Sequence, residues 1–440
     1  MPGSVRSFKR APVCQCRDRF GVCVTASEIL FLADDLSGAA DCAMSCLSAG
    51  LETVVALDGM AAPPAAALAI DTDSRRRDRE AACRITATML RTHAGAATLV
   101  YKKIDSTLRG HFATELAACL AERRHPSARN VAIVAPAFPD AGRTTRGGQQ
   151  YLNGEKVEMT SIWRNERLSG RAFLPDLLVA AQLRVVHIGL DAIRSAGLAQ
   201  IMQAAAQDHD ALACDAATNE DLAAIAIAGQ GLDAIWVGSA GLARHLPAAA
   251  GLVRAAAAQP ALPLRTGPVI CAVGSLSDIS RAQFTQLAPL AGVAHFIVAP
   301  QVLKAGPEAA GWAAQNAAID AAMRAGQDIA VLIDSAPRAN PKDGVELCTS
   351  LGRMLAPHLA TARGLIATGG ETARALLMAC GVRALRVAAA VEPGIPLSYA
   401  MSGAAGGMAV ITKAGAFGHP QTLLRCRDML RDGAIEGVLS

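Results

Sequence analysis

The sequence predicts an α/β protein of two domains, each with a mainly parallel sheet flanked by helices. Three observations lead there. The chain has 440 residues, beyond the length at which one hydrophobic core keeps growing. A unit of short apolar or β-branched run, Gly/Asp/Ser turn and helix-length amphipathic stretch recurs almost to the C-terminus, which is the pattern of parallel strands joined by crossover helices. That pattern breaks once, at Gln259-Pro260-Ala261-Leu262-Pro263-Leu264. The expected division is therefore an N-terminal extension over 1–27, a first domain over 28–258, a linker over 259–267 and a second domain over 268–440.

The first strand is expected over Ile29 to Leu32, followed by a helix from about Ala39 to Leu47 that Gly50 closes. Val54 to Leu57 and Leu68 to Ile70 supply further strands. Leu99 to Lys102 leads through a polar turn to a helix from about His111 to Arg123. Val131 to Val134 opens onto a polar, glycine-rich stretch, Pro136 to Gly154. That is longer than most strand-to-helix connections, and long structured loops at strand ends often carry sites. Val185 to Ile188, Ala211 to Cys214 and Ala234 to Val237 complete the first series. The second comprises Val269 to Val273, Phe296 to Ala299, Ile329 to Ile333, Leu365 to Thr368, Leu385 to Ala388 and Met408 to Thr412, with an alanine-rich helix over Ala309 to Ala322.

Composition excludes several classes. Lys+Arg 42 against Asp+Glu 38 gives a net charge of +4 spread along the chain, without the concentrated basic face that a nucleic-acid binder needs. The clusters Arg75-Arg76-Arg77 and Arg123-Arg124 sit near acids and are read as solvated surface. No apolar run reaches the roughly 18 residues needed to span a bilayer. The twelve cysteines form no CxxC pair; Cys42, Cys46, Cys83, Cys119 and Cys380 are expected as free thiols in a reducing compartment, and Cys14, Cys16 and Cys23 lack partners at zinc-site spacing. Residues 1–27 are basic without a secretory h-region. The expectation is a soluble cytoplasmic protein with no nucleic-acid or membrane partner, for which a homodimer stays open.

Chemistry concentrates at strand ends, where open α/β sheets bind ligands. In the first domain Asp34 and Asp35 end the first strand. Adjacent carboxylates alternate faces, so Asp35 is the preferred base or hydroxyl anchor and Asp34 the loop support; capping of the following helix is the competing role. Lys102, Lys103, Asp105, Ser106, Thr107 and Arg109 crowd a second turn that suits a carboxylate. Arg143, beside Asp140, Thr144, Thr145 and Arg146, offers a guanidinium fork to an anion or orders a surface loop. In the second domain Gly274, Ser275 and Ser277 follow one strand, and Thr368, Gly369, Gly370 and Glu371 follow another. Neither fits the GxxxxGK[ST] spacing, yet both let backbone amides approach phosphate at a helix start. Lys413 with Gly415 and Gly418 makes a third such turn. Glu371 either holds Mg²⁺ or favours the positive end of its helix.

The runs Ala33 to Ala39, Tyr101 to Gly110, Pro136 to Pro139 with Gly142 to Thr145, Thr368 to Thr372, Glu392-Pro393-Gly394-Ile395-Pro396 and Thr412 to Gly418 resemble the four-carbon acid sugar kinase family, in order and over nearly everything from Ile29 onward. The resemblance implies an N-terminal acid-sugar-binding domain, a C-terminal ATP-binding domain, ATP and Mg²⁺ as cofactors, and phosphorylation of the 4-hydroxyl of D-threonate, D-erythronate or a 3-oxo-tetronate, with D-threonate favoured by the Tyr101 to Gly110 run. It assigns Asp35 and Arg143 to catalysis, and Asp34, Lys103, Asp105, Ser106 and Arg109 to the sugar acid. Gly274, Ser275, Ser277, Thr368, Gly369, Gly370, Glu371, Lys413, Gly415 and Gly418 go to ATP, with Glu371 also on the metal. Ser37 stands where threonine is common and His111 where asparagine is frequent. A nucleotide-dependent dehydrogenase and a non-catalytic acid-sugar sensor are the rival classes; the first lacks its GxGxxG turn here.

Overall fold

A computed structural model of the chain describes residues 27–59, 62–95, 98–123, 130–166, 168, 170–255, 265–334 and 343–432. The expected extension over 1–27, apart from Ser27, and the expected linker up to residue 264 lie outside them.

The strands are β1 (Ile29–Ala33), β2 (Thr53–Ala56), β3 (Ala67–Asp71), β4 (Leu99–Lys103), β5 (Val131–Ala135), β6 (Arg143–Arg146), β7 (Gln149–Leu152), β8 (Glu155–Lys156), β9 (Val185–Ile188), β10 (Ala211–Cys214), β11 (Ala234–Gly238), β12 (Val269–Val273), β13 (Val293–Val298), β14 (Asp328–Ile333), β15 (Gly364–Thr368), β16 (Ala384–Glu392), β17 (Ile395–Ala400) and β18 (Ala409–Lys413). Fifteen join in one sheet of order β13-β14-β12-β15-β18-β17-β16-β2-β3-β1-β4-β11-β5-β10-β9, and β6-β7-β8 form a small antiparallel sheet. Pairing is parallel from β2 to β9 and from β13 to β18. The antiparallel pairs β2–β16, β16–β17 and β17–β18 stitch the two runs together.

The central strands β1, β3, β5, β11, β12, β14, β15 and β18 are buried along their whole length, as parallel strands covered on both faces must be. One face carries a core that is continuous through both lobes, from Phe31, Val55 and Tyr101 to Ile270, Leu365 and Val410. The opposite face divides into two cores, around Leu32 and Val134 in the first lobe and Cys271 and Ile411 in the second.

Helix α1 (Leu36–Ser48) lies on the shared face. It starts three residues before the expected position because Asp35 is its N-cap, and it ends as expected. Gly50 adopts φ 77°, with the amides of Gly50 and Leu51 returning to Leu47 and Cys46, the closure a left-handed residue permits. The described cysteines are free thiols, buried except Cys83, and burial pushes Cys46, Cys119 and Cys271 up to about 12. No helix among the described residues is long and apolar enough to cross a membrane.

Arg374, from the helix Gly370–Ala379 of the second lobe, clamps the two lobes beside the β2–β16 seam. It donates to the Leu57 carbonyl at 2.8 Å and to Asp71 Oδ2 at 2.6 Å, and lies 3.6 Å from Asp73. Burial pushes the Asp71 carboxyl up to about 6 even with this partner. Removing the cation strands a buried acid, so Arg374→Met is expected to lower unfolding stability by about 3 kcal/mol, read as a drop in the urea midpoint. An unchanged midpoint would show that the clamp contributes nothing.

Candidate active site

In the first lobe the chain leaves β1 for β2 and β3 on one side, then returns to β4 on the other. This reversal opens a crevice at the C-terminal ends of β1 and β4, where α/β sheets bind their ligands. Asp34 and Asp35 end β1, and Lys103 to Asp105 end β4. The segment after β3 adds Arg75, which the sequence reading placed on the solvated surface. Instead its side chain is 17% exposed and bridges the crevice: Nε and Nη2 donate to Asp34 Oδ2 and Oδ1 at 2.7 and 3.0 Å, and Nη1 to Asp35 Oδ2 at 3.2 Å. The strand-end run Asp71-Thr72-Asp73-Ser74-Arg75, equivalent in position to the acidic pair after β1, was the signal that could have found it.

Asp35 takes the capping role weighed for it. In extended geometry (φ −148°, ψ 159°), it caps α1, Oδ1 accepting from the Gly38 amide at 3.0 Å. Gly38 leaves room at that turn: a Cβ there would stand 2.3 Å from Lys103 Nζ and 2.7 Å from Asp35 Oδ1, so those side-chain ends would have to move. The Lys103 ammonium therefore lies against the first turn of α1. Burial acts to strip its proton, but Asp35 and Asp34 outweigh that and raise its pKa. Lys102 points the other way. Fully buried, it pairs with Glu115 at 3.3 Å, so the two adjacent lysines share no site.

Asp105 pins the turn after β4. It accepts from the Thr107 hydroxyl and amide and, through both oxygens, from Arg109 Nε and Nη2 at 2.8 Å. Burial opposes its ionisation, yet Arg109 and Arg75 hold it well below the usual carboxylate range. The Arg109 fork is thus engaged by Asp105, with Nη1 3.5 Å from Glu166. Ser106 is tied by its carbonyl to Gln150. Arg143, on β6, gives Nη1 to the Ala141 carbonyl, while its buried Nε has no partner among the described residues. Burial lowers its pKa, and Asp105 and Arg109 are its charged neighbours. A buried donor left unpaired beside a polar crevice is a ready anion ligand.

The second lobe repeats the plan. Its chain reverses around β12, with β14 and β13 on one side and β15 on the other. The turns after β12, β15 and β18 meet there at backbone distance. A Cβ on Gly274 would stand 2.2 Å from Thr372 Oγ1, and one on Gly415 2.1 Å from Ser275 Oγ; Gly369, at φ 92°, has Ser275 as neighbour. The Ser277 amide donates to Ser275 Oγ at 3.2 Å. Gly418, at φ 81°, abuts Thr422. Thr368 is fully buried, and its hydroxyl has no partner among the described residues.

Lys413 is buried beneath its own loop. Nζ donates to the carbonyls of Ala414, Gly415 and Phe417 at 3.0, 3.2 and 3.1 Å, and burial lowers its pKa to about 8. Glu371 is half exposed and sits 3.4 Å from Arg76 of the first lobe. Among the described residues no three metal-ligating side chains cluster. A carboxylate beside a glycine turn is a donor that suits Mg²⁺, which commonly uses one or two carboxylates, phosphate oxygens and water.

The two crevices share a border. A Cβ on Gly370, the first residue of its helix, would stand 2.9 Å from Ser37 Oγ and 3.5 Å from Asp35 Oδ2. The N-termini of α1 and of the Gly370 helix therefore meet, each bringing first-turn amides and the positive end of its dipole. Such a meeting of helix starts favours an anion.

Two family models match the chain, a sugar-binding N-terminal domain over residues 29–246 and a nucleotide-binding C-terminal domain over residues 270–423. The chain is 45% identical to a D-threonate kinase of Cupriavidus necator, covering 90% of this chain and 96% of that protein. It is 33% identical to a D-threonate kinase of Bordetella bronchiseptica, covering 91% and 97%. A solved Haemophilus influenzae protein shares the fold, with a TM-score of 0.69 at 20% identity over 91% of this chain and all of that one. With both family models matched in succession and two D-threonate kinases matched over nearly their whole length, the chain belongs to the four-carbon acid sugar kinase family.

Proposed function

We propose that this kinase transfers the terminal phosphoryl group of ATP to the 4-hydroxyl of D-threonate, with residues 28–258 holding the sugar acid and 268–440 the nucleotide. The observation that carries the reading is the convergence of Asp35 Oδ2, the start of α1 and Gly370 at the border of the two lobes. The D-threonate kinases to which the chain is 45% and 33% identical support the choice of acid.

Lys103 and the unpaired Nε of Arg143 take the carboxylate, assisted by Ser106. Asp34, Asp105 and Arg109 keep the crevice in shape through the bonds already described. The acid then lies with its far hydroxyl toward Asp35. On the other side Gly274, Ser275, Ser277, Thr368, Gly369, Gly370, Gly415 and Gly418 bring backbone amides and hydroxyls to the phosphates, and Lys413 holds the third turn in shape. Glu371 would hold Mg²⁺, which when bound neutralises charge on the phosphate oxygens.

In the reaction the 4-oxygen bonds to the γ-phosphorus while the bond from that phosphorus to the β,γ-bridging oxygen breaks. The hydroxyl proton passes to Asp35 Oδ2, and ADP leaves. Alignment and charge stabilisation dominate, because phosphoryl transfer asks for no covalent enzyme intermediate. The direct test is an ADP-release screen over D-threonate, D-erythronate, their L isomers and 3-oxo-tetronates, with analysis of the product. D-threonate is expected to give the highest kcat/KM and a 4-phosphate. A tenfold preference for another acid, or phosphate on another oxygen, would contradict the assignment.

A further inference from the structure

Arg75 pairs with both carboxylates at the end of β1 and approaches the carboxylate at the end of β4. Besides the bonds to Asp34 and to Asp35 Oδ2, its Nη2 lies 3.0 Å from Asp35 Oδ1 and 4.0 Å from Asp105 Oδ1. Its backbone amide donates to the Asp34 carbonyl at 3.3 Å. Gly110, at φ 85°, passes close by; a Cβ there would stand 3.4 Å from Arg75 Cγ and 3.5 Å from Asp34 Oδ2. The guanidinium is thus fixed at both ends of its side chain.

The geometry decides what that fixation does. Asp35 Oδ1 is already anchored by the Gly38 amide, but one bond to one oxygen leaves the carboxylate plane free to turn. The planar Arg75 fork reaches both oxygens and sets that plane, directing Oδ2 to the side of Gly370. Lysine carries the same charge but has no planar fork to set it. Arg75 also supplies compensating charge among Asp34, Asp35 and Asp105, which lie side by side in one crevice.

We propose that Arg75 is a positioning residue for phosphoryl transfer, holding the Asp35 carboxylate in the orientation that presents Oδ2 to the acceptor hydroxyl. The inference rests on Asp35 acting as proposed above, and its test separates the two. Arg75→Lys and Arg75→Met are compared with wild type, alone and combined with Asp35→Asn, by kcat and by KM for ATP and for D-threonate. Folding is checked by thermal melts. Misalignment of a reacting group by about 1 Å costs up to about 100-fold, so Arg75→Lys is expected to lower kcat about tenfold or more, with KM for ATP changed less than about threefold. On the Asp35→Asn background the same change should cost less than about threefold, because residues that act as a unit are non-additive. Arg75→Met should behave alike with a larger single effect; if it does not fold, Arg75→Lys carries the comparison.

Wild-type kcat in Arg75→Lys, or a double variant whose loss equals the product of the single losses, overturns the positioning role while leaving Asp35 in place. Near-normal turnover in Asp35→Asn removes the reading beneath it and this inference together.

Discussion

Asp35→Asn is expected to cut kcat by about 100-fold or more while ATP binding persists, the range that loss of a general base typically costs. The substitution is chosen because asparagine and aspartate are about equally good helix N-caps. The bond from the Gly38 amide to Oδ1 survives, and with it the start of α1. What disappears is the ability of the second oxygen, facing Gly370, to accept a proton. Steady-state kinetics with calorimetric titration of ATP separates the two functions. Near-normal turnover in the folded variant would assign Asp35 to capping alone.

The second large effect is expected at Lys413. Methionine conserves most of the volume and all of the burial, but leaves the Ala414, Gly415 and Phe417 carbonyls without the donor they now share. The turn that begins with Lys413 should loosen, and the local positive charge is lost. Lys413→Met is expected to raise KM for ATP about tenfold or more, the order of one or two lost charge-assisted bonds, while KM for the sugar acid stays nearly constant. Unchanged ATP dependence would reject the role.

The same residue carries a pH signature. Burial lowers its pKa to about 8, below the unfolded value of about 10.4. Between these values the unfolded chain binds more protons, so this group makes stability rise with pH across that window and penalises the fold at neutral pH. For function the sign reverses: as pH climbs through about 8 the cation is lost, and kcat/KM for ATP should fall. Lys413→Met should show no such inflection.

Much of this was legible because parallel strands, buried on both faces, read as short apolar runs, and their polar ends interrupt those runs sharply. Asp34-Asp35, Lys103 to Arg109 and the three glycine turns were all visible that way. What stayed hidden depends on pairing across long distances. Arg75 looks like any member of an arginine run until β3 is known to lie beside β1. Lys102 and Lys103 look equivalent until strand alternation sends one to Glu115 and the other to α1.

Arg109 looks like a free carboxylate ligand until Asp105 is seen to fill its fork. The stretch from Pro136 to Gly154 reads as a loop with a turn at Gly147-Gly148, yet those two glycines join the strands of the β6–β7 hairpin. The β16–β17 hairpin at Pro393-Gly394 was missed likewise, since Pro396 weakens the strand pattern of β17. With it went the seam that joins the two lobes into one sheet.

Acid and nucleotide are expected to meet between the first turn of α1 and the first turn of the Gly370 helix. A crystal structure with D-threonate and a non-hydrolysable ATP analogue would show it. The 4-hydroxyl is expected within hydrogen-bond reach of Asp35 Oδ2 and about 3–3.5 Å from the γ-phosphorus, in line with the leaving oxygen. Both compounds bound, with the acid's hydroxyls turned away from Asp35 and the triphosphate remote from Gly370, would contradict it.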